Sequence, residues 1–270
     1  MRLNRTRLKT SLAVRHARSI RLGLRDMFPT QELVDNWFAL HNLEADQQTA
    51  VSKPIARDWV RLNMPKVEPT RLNSALGRLY ADSWVLGEDM AIYDVAKAEK
   101  VNKAAPTDKQ LKNSLQVNWN KWNAGKRATK QLEDPSPKLK QLLDNRLFLI
   151  QEISNTTMNR IGTVLATALE QGKTPKQVAI LIDKVINDPI RALTIAQTEM
   201  SYAVIEASRQ MYYDSGVEEI EYIAQDPCDE CAENEDASPI GVDEEFPNGN
   251  PPVHPNCMCD VIPYTPDNQN

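Results

Sequence analysis

Between Asp226 and Tyr264 the chain gathers all four of its cysteines and one of its three histidines. They read Cys228-x2-Cys231, a gap, then His254-x2-Cys257-x-Cys259, with Pro239, Gly241, Pro247, Gly249, Pro251, Pro252 and Pro255 scattered among them. A stretch this polar and this broken by proline buries too little apolar surface to offset its ordering entropy. It therefore calls for a cross-link, and a metal is the natural one. Structural zinc takes four tetrahedral thiolate or imidazole ligands, often with one Cys-x2-Cys pair. Cys228 and Cys231 have that spacing. Cys257 and Cys259, two residues apart, face the same way in an extended strand. His254 lies three residues before Cys257, within reach of a turn, and Gly249-Asn250-Pro251-Pro252 reads as the turn that returns it to the first pair. Five donors compete for four places. The expected set is Cys228, Cys231 and Cys257 with Cys259 or His254. Two disulfides are the alternative. They belong to short, cysteine-dense secreted domains, whereas this chain of 270 residues has only four cysteines, all clustered beside a histidine, and the N-terminus does not read as a secretory signal.

The zinc so implied is structural. A catalytic zinc keeps an open position for water beside an acid or base. Zinc deaminases pair an upstream His-x-Glu with Pro-Cys-x-x-Cys. Pro227-Cys228-x2-Cys231 matches the second half, but His16 is followed by Ala17 and Arg18, and His41 by Asn42 and Leu43. There is no phosphate loop and no nucleophile elbow, so the chain reads as a non-enzyme.

Charge divides the ends. Residues 1–25 hold eight Arg/Lys and no acid: Arg2, Arg5, Arg7, Lys9, Arg15, Arg18, Arg21 and Arg25. No Lys or Arg follows Arg209, while fifteen Asp/Glu lie from Asp214 onward. Such asymmetry points to different partners for the two ends. The basic segment can form an amphipathic helix with Leu8, Leu12, Ala13 and Ile20 towards one side. Contact with nucleic-acid phosphates, docking on an acidic protein surface, an organellar transit peptide and a solvated terminus all stay open. No apolar run reaches the length of a membrane span, so no membrane partner is expected.

Between these ends the pattern is helical. Nine glycines and long Leu/Ala/Lys/Gln/Glu runs favour helix. Helices are expected around Leu33–Leu40, from Thr70 to Ala98, over 107–124, over 138–172, after Thr174-Pro175 and after Asp188-Pro189, with Gly125, Gly172 and Gly216 as stops. Trp119 and Trp122 among Lys112, Lys121, Lys126, Arg127 and Lys130 fit helix packing better than a single-strand stacking platform. Residues 217–223 read as a strand leading into the first cysteine pair, and 261–264 as its antiparallel partner. The expected fold is mainly α: an elongated helical N-terminal part, then an α+β module with a small zinc-knuckle-like β-hairpin. The expected segments are a basic arm at 1–28, a helical domain at 29–137 and a module at 138–270, with the Cys/His knuckle at 217–264.

The order of helix, Thr-Pro helix, Arg191-x3-Ile195-Ala196-x-Thr198-Glu199 helix, strand, Asp226-x-Cys228-x2-Cys231 and Pro252-x-His254-Pro255-Asn256-Cys257-x-Cys259 resembles the head-morphogenesis family of tailed phages, the Mu gpF-like and SPP1 gp7-like minor capsid proteins. The resemblance covers about residues 146–264. Met258 stands where the family usually has Arg, and Gln197 where Arg often precedes Thr-Glu. The resemblance implies a structural minor head protein of the virion, assembled in the host cytoplasm and bound to the portal protein. Major capsid or scaffolding protein are further implied partners, and head assembly, DNA packaging or DNA delivery the implied roles. A packaging factor touching DNA through residues 1–25 is the alternative. Arg191 and Glu199, two helical turns apart, are expected to join a polar contact between their helix and the knuckle.

Overall fold

The computed structural model describes residues 4–40, 51–98 and 106–265; Arg2 and His41 lie outside them. Ten α-helices are formed by the described residues: α1 (Arg5–Met27), α2 (Thr30–Leu40), α3 (Lys53–Asn63), α4 (Thr70–Val95), α5 (Asp108–Leu115), α6 (Lys126–Glu133), α7 (Pro137–Glu170), α8 (Pro175–Ile186), α9 (Pro189–Asp214) and α10 (Asp229–Asp236). Three short strands, β1 (Glu219–Ile223), β2 (Ile240–Gly241) and β3 (Asp260–Pro263), complete the chain. The fold is therefore mainly helical, as its composition implies. Among the described residues no helix is long and apolar enough to cross a membrane.

Local chemistry accounts for most helix ends. Thr107 and Thr174 each cap a helix through reciprocal bonds with Gln110 and Gln177, the side chain taking up one orphan N–H while the glutamine takes another. Pro175 follows its cap at the first helical position, where its missing N–H costs nothing. Asp188 Oδ1 accepts from the N–H groups of Ile190 and Arg191 at the start of α9. Gly216, at φ +77°, closes α9, a conformation that glycine adopts without steric cost. Gly125 differs from expectation. At φ +57° it precedes α6 rather than ending a helix, and the helix expected over 107–124 stops at Leu115. A single 3₁₀ turn follows at Trp119–Lys121.

The chain forms two compact units. One comprises Ala17–Leu76 and Asn145–Ala192. In it Trp37 meets Trp59 edge to face at 4.7 Å, and Gly162 packs so tightly on Arg57 that a Cβ would lie 2.5 Å from its Cα. Arg57 donates to Thr163 Oγ1, and Arg191 to Thr157 Oγ1 and the Ile153 carbonyl.

The other unit comprises Met1–His16, Gly77–Asp144 and Leu193–Asn270. There α4 and α9 approach closely at Gly87: a Cβ would fall 2.4 Å from the Val204 carbonyl oxygen. Ser208 Oγ donates to the Gly87 carbonyl at 3.1 Å and fixes the crossing. Tyr80 and Trp84 pack with Leu139, Leu142, Leu143, Ala203 and Ala207. Trp122 packs on Ala81, Val85, Ala124 and Ala128 while its indole N–H donates to Asp89 at 2.7 Å. Trp119 stands edge to face on Tyr93. Both tryptophans thus serve packing, although neither lies in the α-helix expected there.

The sheet has the order β2-β1-β3, all antiparallel. The pairing of residues 217–223 with 261–264 is present as β1 with β3, Ile220 opposite Pro263 and Ile223 opposite Asp260. It is not a hairpin: α10, β2 and the proline-rich loop lie between the two strands, and β1 pairs with β2 on its other edge.

Candidate metal centre

The five Cys/His donors converge. Cys228 precedes α10 as its N-cap, and Cys231 sits in the first turn of that helix, fully buried. Cys257 and Cys259 are buried just before β3. His254 follows the turn at Gly249, whose φ of +84° only glycine adopts cheaply. Cys228, Cys231 and His254 form one group with ligand atoms within 4.8 Å of one another; Cys231, Cys257 and Cys259 form a second. Cys231 belongs to both. All four cysteines are free thiols.

The donor spacing tests the fit to a metal. A tetrahedral zinc with Zn–S of about 2.3 Å and Zn–N of about 2.0 Å separates two sulfurs by about 3.8 Å, and a sulfur from a nitrogen by about 3.5 Å. Cys231 Sγ lies 3.9 Å from Cys257 Sγ and 3.5 Å from His254 Nε2. His254 Nδ1 lies 2.9 Å from the Pro255 carbonyl. That carbonyl can only accept, so Nδ1 carries the proton and Nε2 presents its lone pair to the cluster. Two spacings around Cys231 are therefore those of a tetrahedral site, and the cluster could hold a thiophilic metal ion.

The thiols perturb one another. A hydrogen bond from the Cys259 thiol, helped by backbone N–H donors, pulls the Cys257 thiol down to about 5. Cys259, as the donor of that bond, is pushed up. Burial pushes Cys231 up, as it does the Tyr222 hydroxyl that donates to Cys231 Sγ at 3.4 Å. The Gln225 N–H donates to Cys259 Sγ at 3.3 Å.

Direct bonds also hold the loop. Asn234, fully buried in α10, donates to the Gly249 carbonyl and accepts the Asn248 N–H. Arg209 donates to the carbonyls of Val242 and Glu244. Tyr222 and Phe246 meet edge to face at 5.1 Å. Ile220, Tyr222, Val242, Phe246 and Val261 share one core with Cys231, Cys257 and Cys259. The expectation that this stretch lacks apolar anchors is thus corrected. Val242, Phe246 and Val261 point inward, and the cysteines Cys231, Cys257 and Cys259 pack as small hydrophobes.

The contact between helix and loop uses other residues than expected. Glu199 accepts from the Tyr80 hydroxyl at 2.6 Å, and burial raises its carboxyl above the usual range. Arg191 turns to Thr157 and Ile153. The contact is instead made by Thr198, whose hydroxyl accepts the Asn256 N–H at 3.1 Å, and by Ser201, whose hydroxyl donates to the Cys257 carbonyl at 3.1 Å. Asn256 has φ +63°, a left-handed conformation that asparagine tolerates. The Thr-Glu and His-Pro-Asn-Cys runs are therefore two halves of one joint.

The basic N-terminus requires a second correction. Arg5 and Lys9 belong to the set read as nucleic-acid or partner contacts, but both are committed inside the protein. Arg5 Nε donates to Asp260 at 2.7 Å and Nη1 to Asp94 at 2.6 Å. Lys9, 0% exposed, donates to the Cys259 carbonyl at 3.0 Å and pairs with Asp260 at 3.2 Å. The Tyr212 hydroxyl donates to Asp94 at 2.6 Å. Burial alone would raise the Asp260 carboxyl; Arg5 and Lys9 outweigh it and hold it below the ordinary carboxylate value. For Asp94 burial wins, and its carboxyl is raised. Arg7, Arg15, Arg18 and Arg25 are exposed, and Arg21 is half-buried. His16 meets Asp82 at 2.9 Å in the interior. A clue was present in the sequence: an aspartate beside the last cysteine, in a tail without a single Lys or Arg, needs a cation from elsewhere in the chain.

These features define a class: a mainly helical protein whose C-terminal module joins a long helix to a Cys/His cluster through a Thr–Asn contact. Residues 159–262 match the family model described as phage Mu protein F like protein. The resemblance to the Mu gpF-like head-morphogenesis family is therefore shown over that segment. No curated protein and no solved structure matches the chain.

Proposed function

We propose that this chain is a structural minor capsid protein of a tailed phage, held at the portal and procapsid, with a zinc ion bracing its C-terminal module. The carrying observation is the family match over 159–262, with the Thr198–Asn256 bond joining both motif halves. Its role is mechanical rather than catalytic, and its location is the virion. Cys231, common to both donor groups, is the centre of the ligand set; Cys257 and Cys259 join it, and His254 or Cys228 supplies the fourth donor. Mass spectrometry of purified procapsids and virions, with co-purification on portal rings, tests the assignment. A protein absent from both particles and indifferent to portal would refute it. Elemental analysis of freshly purified, reduced protein tests the metal, with about one zinc per chain expected.

A DNA-contacting role is the second reading, favoured by exposed Arg7, Arg15, Arg18 and Arg25. It requires DNA affinity that falls steeply with salt and drops when these four arginines are replaced by alanine. Unchanged affinity would eliminate it.

A further inference from the structure

The Cys/His cluster and the N-terminal helix share a residue. Cys259 offers its sulfur to the cluster, while its carbonyl accepts the Lys9 ammonium at 3.0 Å. The next residue, Asp260, receives both Arg5 and Lys9. A second bridge runs on the other side: the Thr6 hydroxyl meets the Gln225 side chain at 3.3 Å, and the Gln225 N–H donates to Cys259 Sγ at 3.3 Å. Two routes therefore connect residues 4–16 of α1 to one cysteine.

We propose that metal occupancy of the cluster and docking of residues 4–16 are a single coupled equilibrium, in which a filled cluster clamps the basic segment and an emptied one releases it. This rests on the metal reading above. A fully buried ammonium is tolerated only while its acceptors stay in place. Both acceptors of Lys9 belong to Cys259 and Asp260, so their position depends on where the cluster holds Cys259. A zinc bound by three or four thiolates is also anionic overall, and Lys9 is the buried cation beside it. Linkage makes the effect reciprocal: a change at Lys9 must alter metal affinity by the factor through which metal alters docking. Release would expose Arg5 and Lys9 next to Arg7, giving the protein a cationic segment that the filled form hides.

Hydrogen–deuterium exchange of the zinc-loaded full chain, before and after stripping with a chelator, reads the coupling directly. Stripping should speed exchange across 5–16 on the order of tenfold, together with 226–259, and leave α8 unchanged. Lys9→Met should lower zinc affinity against a competing chelator by a similar factor. Arg7→Ala, an exposed change on the same helix, should not. The wild-type comparison decides the matter even if Lys9→Met folds poorly. Unchanged exchange across 5–16 after proven zinc loss overturns the proposal, as does a folded Lys9→Met protein that holds zinc as tightly as wild type. A freshly purified protein that binds no zinc at all refutes the metal reading itself, and the coupling with it.

Discussion

Asp260→Asn is the sharpest probe of the buried charge network. The carboxylate takes Arg5 at 2.7 Å and Lys9 at 3.2 Å, and its own side chain is 6% exposed. Asparagine keeps the shape and removes the charge. Arg5 retains Asp94, but Lys9 is left with a lone carbonyl. Removing one partner of a buried ion pair costs about 3–5 kcal/mol. Lys9 can escape by giving up its proton. Starting from an ordinary value of 10.5, that costs at most about 5 kcal/mol at pH 7, which sets a ceiling of the same size. The thermal midpoint should therefore fall by roughly 6–20 °C. Urea denaturation of zinc-saturated protein, with metal content checked for each variant, measures the loss. Adding Lys9→Met to Asp260→Asn removes the stranded ammonium and should recover at least about 1 kcal/mol in a double-mutant cycle. The pH dependence supplies a second check. A carboxyl whose folded-state value is lowered contributes stability above its unfolded value and loses it as pH falls through the folded one. Wild type should thus lose this contribution only below the ordinary carboxylate range, near pH 4 and under, and Asp260→Asn should show a shallower acid limb. Asp94→Asn should cost less, since burial already favours the neutral form there. A cost under about 1 kcal/mol for Asp260→Asn, or no recovery with Lys9→Met, would refute the network as drawn.

Three further outcomes are expected. Thr198→Val removes the acceptor of the Asn256 N–H and should cost about 1 kcal/mol, while Asn256→Val adds backbone strain at φ +63° and should cost more than Asn256→Gly; urea midpoints rank the three. Gly87→Ala drives a methyl to within 2.4 Å of the Val204 carbonyl and should destabilise by about 1–3 kcal/mol, whereas Gly249→Ala meets no neighbour within 4 Å and should lose only about 1 kcal/mol to its left-handed backbone, both read by thermal melts. Cys231→Ser, altering the donor common to both groups, should abolish zinc binding. Cys228→Ser, altering an exposed donor, should weaken it less, as competition with a colorimetric chelator will show.

Most helix positions, the Thr-Gln and Thr-Pro caps and the pairing of β1 with β3 were legible because each depends on neighbours close in sequence or on strict periodicity, whereas the end of α5 and the start of α6 were not. The convergence of the five candidate donors was legible because Cys228 with Cys231, and His254 with Cys257 and Cys259, lie close in sequence. What escaped notice were partnerships across the chain. Arg5 and Asp260 lie 255 residues apart, and nothing in either neighbourhood marks the other. The basic N-terminus therefore read as an outward-facing arm, although Arg5 and Lys9 point inward while Arg7 and Arg15 face solvent. α10 was also missed. Its sequence, DECAENED, has almost no apolar periodicity, and it is held instead by acidic residues in its first turn, by buried Cys231 and by the bonds of Asn234 to the loop.

The same residues show why a candidate metal site and a hydrophobic core share one small module. The core reaches from β1 and β3 through Val242 and Phe246 to the inward faces of Cys231, Cys257 and Cys259, and burial of that surface contributes to holding the module. It does not extend to Pro255 and Asn256, which are exposed, and leaves His254 only partly covered. There Thr198 supplies one hydrogen bond to a left-handed asparagine, worth about 1 kcal/mol, too little to fix the course of a whole loop. An ion on Cys231, Cys257 and Cys259 that also took His254 would add its constraint at that place, tying the weakly held turn to the strongly held helix and strand. Packing then brings the cysteines together, and an ion would fix the exact place of Cys259 and the course of the histidine turn. That division is why a stretch so poor in apolar residues can present one fixed surface.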